Sequence, residues 1–273
     1  MTTIAFIGAG NMASAIIGGL INSGTDKKSI WACDPGADKL ADLETQFGIQ
    51  TTTENLQAIP LADVIILAVK PQVMEMVLAP LQASLQAKKP LIISVAAGIN
   101  LDSLSAWCGG ALPIVRCMPN TPALVGQGAS GLFANNQTND QQKEISEDIL
   151  NAVGMSVWVQ SEAELNAVTA VSGSGPAYYF LFMEAMIAAG EKLGLSNETA
   201  TALTLKTALG AATMASNSEL NPAQLRKNVT SPNGTTEQAI KSFIENGLPT
   251  LVETALTAAS DRSESLSEEL GAK

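Results

Sequence analysis

The segment "FIGAGNMASAIIGGL", from Phe6 to Leu20, decides how the first part of this chain is expected to fold. A short β-rich run ends in Gly8-x-Gly10-x-x-Ala13, and an apolar periodic helix follows. In such a unit the first glycine permits a tight turn, the second lets the backbone approach a pyrophosphate, and a small third residue lets helix and strand pack closely. N–H groups at the helix start then hold the phosphates.

The segment therefore predicts a dinucleotide-binding turn, with a glycine-rich turn of some other α/β protein as the alternative. The predicted cofactor-binding residues of this turn are Gly8, Ala9, Gly10, Asn11, Met12 and Ala13.

Strand-like and helix-like segments alternate through residues 1–160. This alternation predicts an α/β fold with an N-terminal Rossmann-type, doubly wound parallel sheet. From residue 161 only helical patterns follow, so we predict an all-α dimerisation and substrate domain over residues 161–273. Segments such as "YYFLFMEAMIAAGEKLG" are apolar around much of the helix and must be covered on all sides, which predicts a homodimer.

Composition excludes several classes of protein. The 273 residues carry a net charge of −11, which disfavours nucleic acid, and no polybasic run offers a membrane contact. The three cysteines lack CxxC spacing, so we expect neither a disulfide framework nor a metal site. The chain shows neither a signal-peptide pattern nor an uninterrupted apolar stretch of membrane-span length, and we therefore expect a cytoplasmic protein.

Asp34 ends the second predicted strand, where an acid would bind the adenosine ribose hydroxyls. A carboxylate there repels a 2′-phosphate and favours NADH, whereas a turn or helix N-cap aspartate is the open alternative. The carboxyl ends of the next two strands supply further cofactor candidates, with an exposed strand end or a simple tight turn as the alternatives. These candidates are Ala68, Val69, Lys70 and Pro71, followed by Val95, Ala96 and Ala97.

The stretch "SPNGTTEQA", residues 231–239, predicts a tight turn that runs into a helix. Thr235 and Gln238 have the spacing of a capping box. The backbone amides of this helix start could also hold an anion, although the residues alone favour a plain N-cap. Because the chain contains no histidine, its chemistry must proceed without the usual acid–base side chain.

Six motifs occur here in one order: "FIGAGNMA", "LAVKP", "SVAAG", "RCMPNTPALVGQG", "VSGSGPAY" and "NVTSPNGTT". Together they resemble the pyrroline-5-carboxylate reductase family over nearly the whole chain. The resemblance implies reduction of 1-pyrroline-5-carboxylate to L-proline by hydride transfer from NADPH or NADH, the last step of proline biosynthesis. It also implies a homodimer that can assemble into a decamer, with the active site between the cofactor domain and the helical domains.

The resemblance also implies individual roles. Backbone amides of Gly234, Thr235 and Thr236 are expected to bind the substrate carboxylate, and Thr236 is expected to be the catalytic residue that hydrogen-bonds the ring nitrogen. Asn55 and Asn228 are expected near the cofactor.

For four further residues we expect a general role near the cofactor and not a specific contact. We expect Arg116, Met118 and Asn120 to shape the loop over the cofactor, and Glu162 either to face the cofactor or to be a solvated acid at a helix start.

Two positions depart from the family pattern. Asn233 stands where a glycine is usual, and asparagine tolerates the left-handed conformation that such a turn needs. Asp34 stands where NADPH-preferring members often carry Ser, Thr, Asn or Arg, which leaves the cofactor preference open. Two other hypotheses stay open at this stage: a dehydrogenase acting on a hydroxy acid or a related imine, and a non-catalytic protein that only binds NAD(P).

Overall fold

The computed structural model describes residues 2–271 of the chain. Two compact units are present: one contains residues up to 174 together with those from 258 onward, and the other is Gly175–Thr257. The first unit thus extends beyond residue 160 and includes the end of the last helix. The boundary between residues 160 and 161 remains a prediction.

The first unit contains a mostly parallel eight-stranded sheet, which confirms the Rossmann-type α/β prediction. The strand order is β3-β2-β1-β4-β5-β6-β7-β8. The strands are β1 (Ile4–Ile7), β2 (Ile30–Cys33), β3 (Gln50–Thr52), β4 (Val64–Leu67), β5 (Leu91–Ser94), β6 (Ile114–Met118), β7 (Gly128–Ala134) and β8 (Gly154–Trp158).

Two features of the sheet differ from the prediction. β3 was missed because its three polar residues give no strand pattern, and it lies at the sheet edge. β6 and β7 run antiparallel, because the short connection through the 3₁₀ turn Thr121–Val125 leaves no room for a parallel crossover.

Helices cover both faces of the sheet, and each face has its own apolar core. Phe6, Ile16 and Ile17 belong to one core, and Ile65 and Met74 belong to the other. The helices of this unit are α1 (Asn11–Asn22), α2 (Ala37–Phe47), α3 (Asn55–Ala58), α4 (Met74–Leu78), α5 (Gln82–Lys88), α6 (Leu101–Trp107), α7 (Asp140–Asn151) and α8 (Glu164–Val168). A π-helical turn, Thr169–Gly173, follows α8.

The second unit is helical, and the described chain contains no strand after β8, as predicted. Its helices are α9 (Gly175–Lys192), α10 (Asn197–Ser216), α11 (Pro222–Asn228), α12 (Thr235–Glu245) and the first part of α13 (Leu248–Leu270). α9 and α10 approach closely at Gly190, where an added methyl group would lie 3.2 Å from Cβ of Ala200.

Large apolar side chains are exposed along α9 and α10. Phe180 and Leu181 of α9 are 64% and 66% exposed, and Leu209 of α10 is 61% exposed. An apolar surface of this kind marks an interaction site, which agrees with the predicted homodimer. Across residues 2–271, no helix combines the length and apolar character that a bilayer span requires.

Candidate active site

The turn between β1 and α1 contains two glycines with different functions. Gly8 has φ +105°, and an added methyl group would lie 2.7 Å from the Ala68 carbonyl oxygen, so both conformation and space require glycine. At Gly10 an added methyl group would meet no atom within 4 Å. Gly8 therefore lets β1 and α1 fit against β4, whereas Gly10 borders open space that a ligand can enter.

The first turn of α1 presents unpaired N–H groups. Gly10 is the N-cap residue, contributes no side chain to the cap, and accepts a bond from Ser14 N at 2.9 Å. The amides of Asn11, Met12 and Ala13 have no acceptor within the described part of the chain. Such amides, together with the helix dipole, favour an anion, so this turn fits the pyrophosphate of a dinucleotide.

Asp34 follows β2 and is buried, with 8% of its surface exposed. Its Oδ2 accepts from Ala9 N at 3.0 Å, and its Oδ1 accepts from Gly36 N at 2.9 Å. Lys39 Nζ lies 3.6 Å from Oδ2. This carboxylate therefore ties the β1–α1 turn to the β2–α2 turn, as the turn-aspartate alternative anticipated. Because the Ala9 amide already donates to Asp34, the amides of the first turn of α1 that remain available to a phosphate are those of Asn11, Met12 and Ala13.

The other strand-end candidates lie at the same edge of the sheet, because β1, β4 and β5 are adjacent and parallel. Ala68 N donates to Ile7 O at 2.8 Å, and Val95 N donates to Leu67 O at 3.1 Å. The structure thus brings together segments 68–71 and 95–97. Asn55 begins α3 after β3, so it also follows a strand that ends at this edge.

The turn before α12 corrects one prediction and confirms another. α12 begins at Thr235 with Gly234 as its N-cap, so the predicted capping box from Thr235 to Gln238 is wrong. The observed bond runs instead from Asn233 N to Glu237 Oε2, at 2.7 Å. Asn233 has φ +59°, the left-handed conformation expected for the residue that replaces glycine here.

Gly234 does not offer the amide that was predicted for substrate binding. Its N–H donates to Ser231 O at 3.0 Å and closes the turn. At this helix start the amides that find no acceptor among residues 2–271 are those of Thr235, Thr236 and Glu237, so the unpaired set lies one residue further on than predicted. Thr236 is exposed, and its hydroxyl has no hydrogen-bond partner in the same range. Asn228 is also exposed and accepts from Gln224 Nε2 at 2.9 Å.

Glu162 is half-buried and pairs with the buried Arg116, with 2.7 Å between Oε1 and Nη1. It is therefore not the solvated acid that was one alternative. Sequence reasoning could not find this pair, because its members lie 46 positions apart.

Asn120 is buried and links three segments of the first unit. Its Oδ1 accepts from Ala129 N at 2.9 Å, and its Nδ2 donates to Ser172 O at 3.0 Å. Met118 lies against Gly173, where an added methyl group would overlap its side chain. The "MPN" motif thus holds the β6–β7 connection against the π-helical turn.

The three cysteines provide no nucleophile. Cys33, Cys108 and Cys117 are free and buried, and burial raises the pKa of each thiol to about 12. The thiols therefore remain protonated at neutral pH. The described residues also contain no cluster of three or more His, Cys, Asp or Glu side chains that could hold a metal ion.

Comparison with known proteins decides the family. Residues 162–266 match the family model for pyrroline-5-carboxylate reductase dimerisation, and residues 3–98 match that for coenzyme F420-dependent NADP oxidoreductases. The pyrroline-5-carboxylate reductase of Pseudomonas aeruginosa is 58% identical over 268 residues, which are 98% of both chains. The chain belongs to the pyrroline-5-carboxylate reductase family.

Solved structures of pyrroline-5-carboxylate reductases agree with this assignment. The Coxiella burnetii enzyme has a TM-score of 0.94 at 48% identity, covering 97% of this chain and 98% of that chain. A Plasmodium falciparum enzyme with NADP bound has a TM-score of 0.85 at 32% identity and the same coverage.

The protein is thus an NAD(P)H-dependent pyrroline-5-carboxylate reductase, which produces proline. The hydroxy-acid dehydrogenase and the non-catalytic binding protein are set aside. The matched dimerisation region contains α9 and α10, so a dimer accounts for their exposed apolar side chains.

The two glycines of the β1–α1 turn provide a test of the cofactor site. Gly10→Ala should leave the melting temperature unchanged, because the φ of −85° suits alanine and the new methyl group meets nothing. It should raise the KM for NAD(P)H at least tenfold, because the methyl group occupies the space that the pyrophosphate enters.

Gly8→Ala should instead lower the stability by more than about 2 kcal/mol, because it combines positive φ with a backbone clash. Thermal unfolding and steady-state kinetics on both variants check this contrast. An unchanged cofactor KM in Gly10→Ala would contradict the assignment of the pyrophosphate site.

Proposed function

We propose that two glycine-capped helix starts hold the two anionic groups of the reaction. α1 holds the pyrophosphate of NAD(P)H, and α12 holds the carboxylate of pyrroline-5-carboxylate. One observation carries the proposal: the two caps have nearly the same conformation, with φ −85° and ψ −176° at Gly10 and φ −83° and ψ 170° at Gly234. Neither receives a side-chain cap, so three N–H groups at each helix start lack an acceptor among residues 2–271.

The chemistry needs little from acid–base side chains. The substrate is a cyclic imine, and protonation of its nitrogen makes the C=N carbon electrophilic. Bound NAD(P)H supplies the hydride. The chain must hold the ring in place and exclude competing geometries, and orientation alone can lower a barrier by up to about 10 kcal/mol. We assign Thr236 to the ring nitrogen, because its exposed hydroxyl can accept a hydrogen bond from the protonated ring or donate one to the neutral imine.

We also propose that Asp34 favours NADH over NADPH. Its two carboxylate oxygens are held by backbone amides, so the negative charge is fixed at the end of β2. A 2′-phosphate placed there would meet this charge, although Lys39 partly offsets it. The Plasmodium falciparum relative was solved with NADP bound. We therefore propose that this chain uses both cofactors, with NADH preferred over NADPH.

Assembly and location complete the proposal. Dimers are expected to form a decamer, which light scattering on the purified protein would distinguish from a free dimer. A cytoplasmic location suits three free cysteines, because a reducing compartment keeps thiols reduced. Cell fractionation tests the location.

Thr235→Pro tests the carboxylate site by removing one backbone N–H. Proline is favoured at the first position of a helix, and Gly234 already has the extended ψ of 170° that a residue before proline requires. The variant should therefore fold normally. Its KM for pyrroline-5-carboxylate should rise about tenfold, because a hydrogen bond to a charged group contributes roughly 1.5–3 kcal/mol.

Thr235→Ala is the matched control, since it removes the same side chain and keeps the amide. Its kinetics should stay within about twofold of wild type, and both variants should keep the wild-type KM for NAD(P)H. Equal KM values for pyrroline-5-carboxylate in the proline and alanine variants would refute the assignment of the carboxylate to α12.

Asp34→Ser tests cofactor selection. The ratio of kcat/KM with NADH to that with NADPH should fall by about tenfold, because removal of one like charge is comparable to 1.4 kcal/mol at short range. The melting temperature should also fall, because the amides of Ala9 and Gly36 lose the two oxygens they share. Asp38→Ser is the control, since Asp38 is exposed in the first turn of α2. An unchanged ratio in Asp34→Ser would show that Asp34 is only a structural turn residue.

A further inference from the structure

The Glu162 carboxylate joins two parts of the first unit that lie far apart in the sequence. Its Oε1 accepts from Leu101 N and from Arg116 Nη1, and both distances are 2.7 Å. The side chain of Arg116 is 11% exposed, whereas that of Glu162 is 30% exposed. One oxygen thus neutralises a buried guanidinium and satisfies a backbone amide 61 residues away.

The amide that Glu162 binds lies at the start of α6, where the helix itself provides no acceptor for it. Leu101 is the first residue of α6, and its N–H has no partner inside the helix. The N-cap residue, Asn100, uses its own oxygen for Ser103 N at 2.8 Å. Glu162 therefore holds the C-terminal end of the 95–100 loop by an interaction separate from the cap. A carboxylate at this helix start is also favoured by the helix dipole.

The end of α13 supports the same loop from a second direction. Gly98 has φ +73°, and an added methyl group would lie 3.5 Å from both Leu266 and Leu270. Ser263 Oγ donates to Asn166 Oδ1 at 2.8 Å, which holds α13 against α8. Because Glu162 lies two residues before α8 begins, the α8 region contributes to both supports.

We propose that Glu162, paired with Arg116, is a positioning residue. By holding the Leu101 amide, it fixes the position of segment 95–97 beside the nicotinamide. The proposal rests on the assignment of Val95, Ala96 and Ala97 to the cofactor. In parallel sheets the loops at the strand carboxyl ends form the ligand site, and 95–97 directly follows β5. A loop held at both ends presents a fixed surface, whereas loss of the Glu162 contact frees its C-terminal end while β5 and the α1 phosphate site stay intact.

The test compares two ligands on purified full-length protein: NADPH, and 2′,5′-ADP, which lacks the nicotinamide half. Glu162→Ala should weaken NADPH binding by about fivefold or more and leave the affinity for 2′,5′-ADP within about twofold, because only the loop contact is lost. The kcat of Glu162→Ala with pyrroline-5-carboxylate should also fall. Glu162→Gln should give an intermediate NADPH affinity, because the amide oxygen still accepts from Leu101 N but leaves Arg116 without a counter-charge.

Glu164→Ala is the matched control. Glu164 is exposed two residues after Glu162, and its carboxylate oxygens accept hydrogen bonds from Gln160 N and the Ser161 hydroxyl. It should behave as wild type toward both ligands. Equal loss of NADPH and 2′,5′-ADP affinity in Glu162→Ala and Glu162→Gln would overturn the proposal in favour of general destabilisation, as would unchanged affinity for both.

The wild-type measurement separates this proposal from the proposed function. If wild type binds NADPH no better than 2′,5′-ADP, the assignment of segment 95–97 to the nicotinamide fails before Glu162 is considered. If wild type shows the nicotinamide contribution and Glu162→Ala retains all of it, the positioning role alone is refuted.

Discussion

The proposed function depends on one interaction: the unpaired backbone N–H groups at two glycine-capped helix starts, which we propose hold the anionic groups of cofactor and substrate. A side-chain cap in place of Gly10 or Gly234 would satisfy one of these donors and stabilise the helix by roughly a few tenths of a kcal/mol. The sequence instead places glycine at both N-caps, and the helices forgo that stabilisation. The donors are left to water or to an anionic ligand. In the proposed function, the omission of a common stabilising contact leaves donors free for the ligands.

The charge of the whole chain makes this arrangement more important. At a net charge of −11, the long-range field opposes both the dinucleotide and a carboxylate substrate. Backbone amides act only at short range, so in the proposed function they would hold the correct anionic groups without a basic surface that would bind other polyanions. Under the same proposal, Asp34 would add to this selectivity, because it fixes one carboxylate next to the β1–α1 turn while accepting from the Ala9 amide.

Much of the fold was predictable because it depends on local patterns. The alternation of buried strands and amphipathic helices, the glycine turn and the all-helical second part leave signals within a few residues of each other. β3 leaves none, since "QTT" is short and polar and becomes a strand only by pairing with β2. The antiparallel direction of β7 depends on the short connection between β6 and β7, and a pattern of apolar residues does not indicate strand direction.

The site was predictable in its motifs and less so in its hydrogen bonds. The sequence located the turn at Asn233 and its left-handed conformation, yet it placed the cap at Thr235, one residue after the observed cap. This error arises because a capping box and a glycine cap share the same residue types. Separately, the family resemblance assigned an unpaired amide to Gly234, whose N–H donates to Ser231 O. The contact between Glu162 and Leu101 could not be predicted at all, because only the folded sheet brings β5 and β8 connections together.

One measurement tests the central claim most directly: the amide chemical shifts of the two helix starts, recorded by ¹H–¹⁵N TROSY during titration with NADP⁺ and then with L-proline, whose carboxylate matches that of the substrate. The account predicts that NADP⁺ shifts the amides of residues 11–13 and that L-proline shifts those of residues 235–237, with Gly234 changing less because its N–H is already bonded. Saturation with L-proline that leaves residues 235–237 unmoved while other amides shift would contradict it.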